Sequence, residues 1–237
     1  MISEEVLTRD RIVQTAFSLF LDFGYENTSV QAIIDAVGIA KGTFYHHFKS
    51  KETMLVDLVE GLSRRMAEVI APIVADPSLD AGQKLVAAAR VAVAQKQEDF
   101  GPHTLLLVKQ MRSKGNRLLA DSIDEILSKW ILPQYALVIG QGVTEGLFQV
   151  RNPDLAADLI VGTIMAMKNR VFDLFIAAAE GDQAALEDLV DLYASIEEAI
   201  ERILGASAGS LPIYSSIDMK GLLARLTGLT RLPGAKS

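Results

Sequence analysis

Between Ala36 and Ser50 the chain has no acidic residue, while Lys41, His46, His47 and Lys49 fall inside that stretch and Lys51 follows it directly. Its sign suits a phosphate backbone, because phosphate contacts need clustered positive charge. Hydroxyl and amide side chains stand around it: Thr28, Ser29, Gln31, Thr43 and Tyr45, all able to bond phosphate oxygens or base edges. Gly42 lies among them, and a residue without Cβ lets the backbone come close to another surface. Metal binding is the alternative for the histidines. Two adjacent histidines on a short helix face opposite ways, however, and no cysteine or nearby carboxylate completes a ligand set, so no metal and no cofactor is expected. With three histidines, no cysteine, no Gly-rich phosphate loop and no triad or carboxylate pair at recognisable spacing, the chain offers no catalytic constellation, and no enzyme is expected.

The elements that must hold these groups follow from apolar spacing. From Thr8 to Phe23, Ile12, Ala16, Leu19, Phe20 and Phe23 recur at three- and four-residue steps, as one buried helix face requires. Gly24 ends that helix by supplying the left-handed conformation. Thr28 followed by Gln31 reads as a capping box that opens a second helix from about Ser29 to Val37, and Gly38 stops it. A third short helix begins at Lys41, with Phe44 and Phe48 turned inward and Tyr45 and His47 on its exposed side. Two helices this short, joined by a Gly-containing turn, must cross steeply, which is the helix-turn-helix arrangement. Ser50 is placed to cap a fourth helix, over 51–73, whose stripe includes Leu55, Leu58, Val59, Leu62 and Met66 and whose end is marked by Pro72 and Pro77.

The string GYENTSVQAIIDAVGIAKGTFYHHFKSKETML at residues 24–55 resembles the DNA-binding signature of TetR-type transcriptional regulators. The resemblance covers about the first sixty residues and implies a set of DNA contacts at Thr28, Ser29, Gln31, Lys41, Gly42, Thr43, Tyr45, His46, His47 and Lys51. Physical chemistry assigns these residues compatible roles. The first turn of the third helix would meet base edges in the major groove, while the start of the second helix, Tyr45, the histidines and Lys51 would bind phosphates. Spacing does not decide which of them reads a base.

Beyond Asp80 the texture changes to long apolar helices, read at 81–97, 102–113, 116–145 with a kink at Pro133, 153–180 and 183–204, with a short helix near 218–227. The fold expected is all-α, about nine helices. Residues 1–50 form the DNA-binding domain, the helix 51–73 connects, 74–204 form an effector-binding and dimerisation domain, and 205–237 form an extension lying on the body or in solvent. The resemblance implies a homodimer formed by the last two long helices, with Val161, Met165, Phe172, Leu189, Tyr193, Ile196 and Ile200 as interface candidates. It also implies a small-molecule effector between the middle helices, lined by candidates among Phe100, His103, Leu107, Met111, Trp130, Tyr135, Phe148, Met165 and Asn169. Their mainly apolar character points to a hydrophobic effector. The function implied is a repressor whose operator binding that effector releases, although an activator has the same sequence features.

Composition bounds the rest. Half of the 237 residues are hydrophobic, the prolines number 7, and the net charge is −7. A core can form, and nucleic acid would be met locally rather than over the whole surface. No apolar run approaches the length of a bilayer span and the first residues are polar, so a cytoplasmic protein without membrane contact is expected.

Overall fold

The computed structural model describes residues 4–100, 105, 108, 109, 112 and 117–227, with side chains throughout except at 4–6, 21, 62, 93–100, 117–128 and 224–227. The described residues form helices and connecting turns, with no strand among them. In chain order the helices are α1 (Glu4–Phe23), α2 (Val30–Val37), α3 (Lys41–His47), α4 (Lys51–Ala75), α5 (Ala81–Phe100), α6 (Arg117–Thr144), α7 (Pro153–Ala179), α8 (Gln183–Leu204) and α9 (Met219–Thr227). The helix expected over 102–113 lies largely outside the described residues. Two compact units result, one of residues 1–63 with 106–127 and one of 64–105 with 128–237.

In the first unit, Ile12, Ala16 and Phe20 of α1 are buried at four-residue steps, together with Ile33, Ile34 and Val37 of α2, Phe44 of α3, Phe48, and Met54, Leu55, Leu58 and Val59 of α4. Gly24 and Gly38, at φ of 86° and 73°, make the turns that end α1 and α2. One expectation needs correcting. Ser29, not Thr28, caps α2, its hydroxyl accepting from the Ala32 N–H at 3.0 Å. Thr28 is buried and its hydroxyl donates to the Gly24 carbonyl at 2.8 Å, which ties the turn rather than the helix start. Gln31 donates one turn onward to Asp35 at 2.8 Å instead of reaching back. At α4 the cap is reciprocal: Ser50 Oγ accepts from Thr53 N–H at 3.2 Å and Thr53 Oγ1 accepts from Ser50 N–H at 3.0 Å. Pro72 lies inside α4, not at its end, and the helix closes one turn later at Ala75.

The second unit is built on α7 and α8, joined by three residues and packed along each other. Its core gathers Leu85, Val138, Ile139, Phe148, Ala157, Ile160, Ile196, Ile200 and Leu204. The Phe148 ring lies against Gly142, where a Cβ would sit 2.1 Å from the ring, so glycine is required there. Lys84 is buried, its ammonium donating to the Val74 carbonyl at 2.6 Å and to Gln141 Oε1 at 2.7 Å. Gln141 in turn donates to the Leu79 carbonyl and to Glu145, whose other oxygen accepts from Ala81 N–H. Residues 205–223 are no loose extension. Leu211, Ile213, Leu222 and Leu223 are buried, and α9 packs on α7.

Candidate nucleic-acid interface

The helix-turn-helix is held in register by side chains of α1 and α4. Arg11 donates to the Val37 carbonyl at 3.1 Å, fixing the C-terminal end of α2. Arg9 pairs with Asp57 of α4 and lies over the Phe48 ring at 5.3 Å. Nothing in the sequence announced either arginine, because their partners stand 26 and 48 positions away. Lys51 spans the turn before α2, donating to the Tyr25 carbonyl at 2.7 Å and the Thr28 carbonyl at 3.1 Å, with its charge 4.1 Å from the Tyr25 ring centre. Tyr25 packs edge-on against Phe20 and donates to Glu52. Burial, and then the Glu52 carboxylate, push the Tyr25 hydroxyl well above the tyrosine range, so it remains a donor. The Ser50 hydroxyl is the largest cause holding Glu52 below the usual carboxylate range.

Against that frame α3 presents a single outward face. Phe44 and Phe48 anchor it, while Lys41, Gly42, Tyr45 and His46 are exposed and Thr43 is half-buried. His47, expected on the exposed side, is half-buried with its ring 6.3 Å from Phe48, and His46 takes the outer place. Ser29 and Gln31 are exposed at the start of α2 and Lys49 follows α3 in the open. The structure therefore brings Ser29, Gln31, Lys41, Gly42, Thr43, Tyr45 and His46 onto the outside of α2 and α3. It withdraws Thr28 and engages Lys51 internally. At Gly42 a Cβ would meet nothing within 4 Å, so the fold itself does not ask for glycine there. A helical glycine costs about 1 kcal/mol relative to alanine.

Residues 12–58 match the family model described as bacterial regulatory proteins, tetR family. The chain is 30% identical over 159 residues to the HTH-type transcriptional repressor KstR2 of Mycobacterium tuberculosis, covering 64% of this chain and 73% of that protein. It is 27% identical over 204 residues to the HTH-type transcriptional repressor AcnR of Corynebacterium diphtheriae, covering 84% of this chain and 94% of the relative. The chain belongs to the TetR family. Its members are DNA-binding transcription regulators, not enzymes. A putative TetR-family regulator from Mesorhizobium loti shares the fold at a TM-score of 0.60 and 21% identity, over 85% of this chain and 98% of that one. No helix among the described residues is long and apolar enough to cross a membrane.

The remaining candidates of this TetR-family chain fall unevenly. His103, Leu107 and Met111 lie outside the described residues, as does the side chain of Phe100. Tyr135 lines a cavity of about 10 Å³ with Leu85, Ile160, Ile164, Ile200, Ile213 and Tyr214. Phe148 is core, filling the space beside Gly142, Met165 is half-buried, and Asn169 is exposed. Trp130 is half-buried, with its Nε1 enclosed and without a hydrogen-bond partner among the described residues. Among the interface candidates, Val161, Leu189, Ile196 and Ile200 are buried within the chain. Met165 and Phe172 are half-buried, and Tyr193 packs against Tyr214 with ring centres 4.8 Å apart. Spacing along a helix identified an apolar stripe, and at Val161, Leu189, Ile196 and Ile200 that stripe turns inward.

Proposed function

We propose that this protein is a homodimeric transcriptional repressor that inserts α3 into the major groove of an operator and is released by a small, mainly apolar effector held in the unit of residues 64–105 and 128–237. The observation that carries the reading is the outward face of α3: Lys41, Gly42, Thr43, Tyr45 and His46 on a helix anchored by Phe44 and Phe48. Thr43 sits in the first turn, where a recognition helix reaches base edges, Lys41 beside it reaches a phosphate, and Gly42 admits close approach. Ser29, Tyr45, His46 and Lys49 supply phosphate contacts, and Gln31 reaches the groove. The names of KstR2 and AcnR as repressors favour repression over activation.

A single such module reads half a site, so a two-fold dimer on a palindromic operator follows. Its surface is α7 and α8 where they remain open: Leu155 and Leu159 are more than half exposed, Gly162 and Ala166 continue the same stripe, and Val190 and Ala194 are exposed on α8. Effector binding that favours a dimer with the wrong spacing between recognition helices withdraws the DNA-competent population. Fluorescence anisotropy of the full chain with DNA from upstream of its own gene, against scrambled DNA, tests the reading. Specific binding abolished by Tyr45→Ala with Lys41→Ala supports it. If genome-wide selection also yields no preferred sequence, the repressor reading fails.

A further inference from the structure

Residues 206–217 form a strap across the second unit, fastened to it by side chains. Among the described residues, every hydrogen bond from 207–217 to the rest of the chain ends on a side chain. Glu201 accepts from the N–H groups of Gly209 at 2.9 Å and Leu211 at 2.8 Å. Glu197 accepts from the N–H groups of Tyr214 at 2.8 Å and Ser215 at 3.0 Å, and from the Ser215 hydroxyl at 2.9 Å. Arg90 donates to the Ser216 hydroxyl at 3.2 Å. The strap's backbone bonds with each other are three short turns, at Ser210, Ile213 and Ile217. A helix cannot leave its place without breaking its own ladder, whereas this segment lifts when two carboxylates let go and the Leu211 and Ile213 side chains leave the core.

What lies beneath gives the strap a purpose. Ile213 and Tyr214 form one wall of the small cavity, Tyr135 of α6 another, and aliphatic side chains of α5, α7 and α8 the rest. At about 10 Å³ the space holds no more than a single water, whereas small-molecule sites run to roughly 300 Å³ and above. Any ligand must therefore displace part of the lining, and the strap is the part not built into the helices. No charged side chain lines the space. The hydroxyls of Tyr135 and Tyr214 interact electrostatically, and neither has a hydrogen-bond partner among the described residues. Burial pushes both above the tyrosine range, so both remain proton donors. Two unpaired phenols in an apolar chamber await an acceptor oxygen.

We infer that residues 206–217 are a movable cover over a ligand site, and that the site takes a compact, neutral, apolar molecule whose single hydrogen-bonding oxygen is held by Tyr135 and Tyr214. The inference rests on the effector reading above and specifies its ligand class and its gate. The chain has no cysteine, so Glu197→Cys with Ser215→Cys introduces one disulfide that fastens the strap when oxidised and frees it when reduced. Titration of both forms with 2-naphthol, followed by its fluorescence, reads the site; helical circular dichroism confirms that both forms are folded. The reduced form is expected to bind, with affinity at least tenfold above the oxidised form, while naphthalene-1-sulfonate binds neither. Tyr135→Phe should weaken 2-naphthol on the order of 2- to 10-fold and leave naphthalene unchanged, as loss of one hydrogen bond requires. Equal affinity in the two redox forms, or no binding to the reduced form, overturns the inference. Strap-dependent binding that leaves operator affinity unaltered sustains the site and refutes release by effector.

Discussion

Two lysines near the recognition helix carry the same charge, and the structure separates their roles sharply enough to measure. Lys41 is exposed at the first position of α3, whereas the Lys51 ammonium is committed to two carbonyls, at 2.7 and 3.1 Å, and to the Tyr25 ring at 4.1 Å. Replacing Lys51 by Met removes two charge-assisted bonds and a cation–π contact, for a loss of about 2–4 kcal/mol. In a chain of this size that lowers the melting temperature by roughly 5–15 °C. Lys41→Met should leave stability within about 0.5 kcal/mol. Its effect is on DNA: one phosphate contact per protomer, two per dimer, makes the slope of log affinity against log salt shallower by about 1.8. Between 50 and 200 mM salt that narrows the affinity difference by about 12-fold. Thermal melts and anisotropy titrations at several salt concentrations give both quantities. A Lys51→Met protein that melts like wild type and loses the salt slope would refute the assignment and make Lys51 the phosphate clamp.

Three other outcomes follow from particular contacts. Gly142→Ala places a Cβ 2.1 Å from Cδ2 and 2.3 Å from Cε2 of Phe148, so urea unfolding should show a loss of about 1–3 kcal/mol, partly recovered by adding Phe148→Leu. Thr28→Val removes the bond to the Gly24 carbonyl from a buried site and should cost about 1–2 kcal/mol by denaturation, with the DNA salt slope unchanged. Glu145 is held below the carboxylate range first by the Gln141 amide and then by the Ala81 N–H, and Asp76 by the Ser78 hydroxyl and N–H. A lowered folded value contributes stability above the unfolded value and loses it as pH falls through the folded one, so stability should decline on acidification, less steeply in Glu145→Gln.

Helices were legible because their signals are local. Apolar spacing and Gly24 and Gly38 lie within a few residues of the features they specify, and α7, α8 and α9 begin and end within a residue or so of expectation. The inward Phe44 and Phe48 followed from the same periodicity. Functions that depend on partners distant in sequence were not legible. Thr28 and Lys51 have the chemistry of phosphate ligands, and only the turn between α1 and α2 shows that they bond its carbonyls instead. Val161, Leu189, Ile196 and Ile200 have the pattern of an interface, but a pattern cannot say whether α7 meets α8 or another chain. The strap was hidden for the same reason: its Gly, Ser and Pro content reads as tail, and its fasteners, Glu197 and Glu201, belong to a helix face that looks merely solvated.

An acidic protein that binds DNA must concentrate what little positive charge it offers, and the structure limits that quantity. On α2, α3 and the turn that follows, Lys41 and Lys49 are the exposed lysines, since Lys51 bonds internally and Arg9 and Arg11 serve the frame. Two phosphate contacts per protomer give a salt slope of about −3.6 for a dimer, a loss of roughly 150-fold in affinity between 50 and 200 mM. That electrostatic share is modest, so the proposed interface predicts that neutral contacts at Gly42, Thr43, Tyr45 and the start of α2, which salt does not weaken, supply much of the affinity. The expected signature is an operator affinity that falls with salt no more steeply than this while discrimination against scrambled DNA persists. A slope much steeper than −3.6 would mean that cations beyond these two helices meet the phosphates, and the interface would have to be drawn wider than α2 and α3.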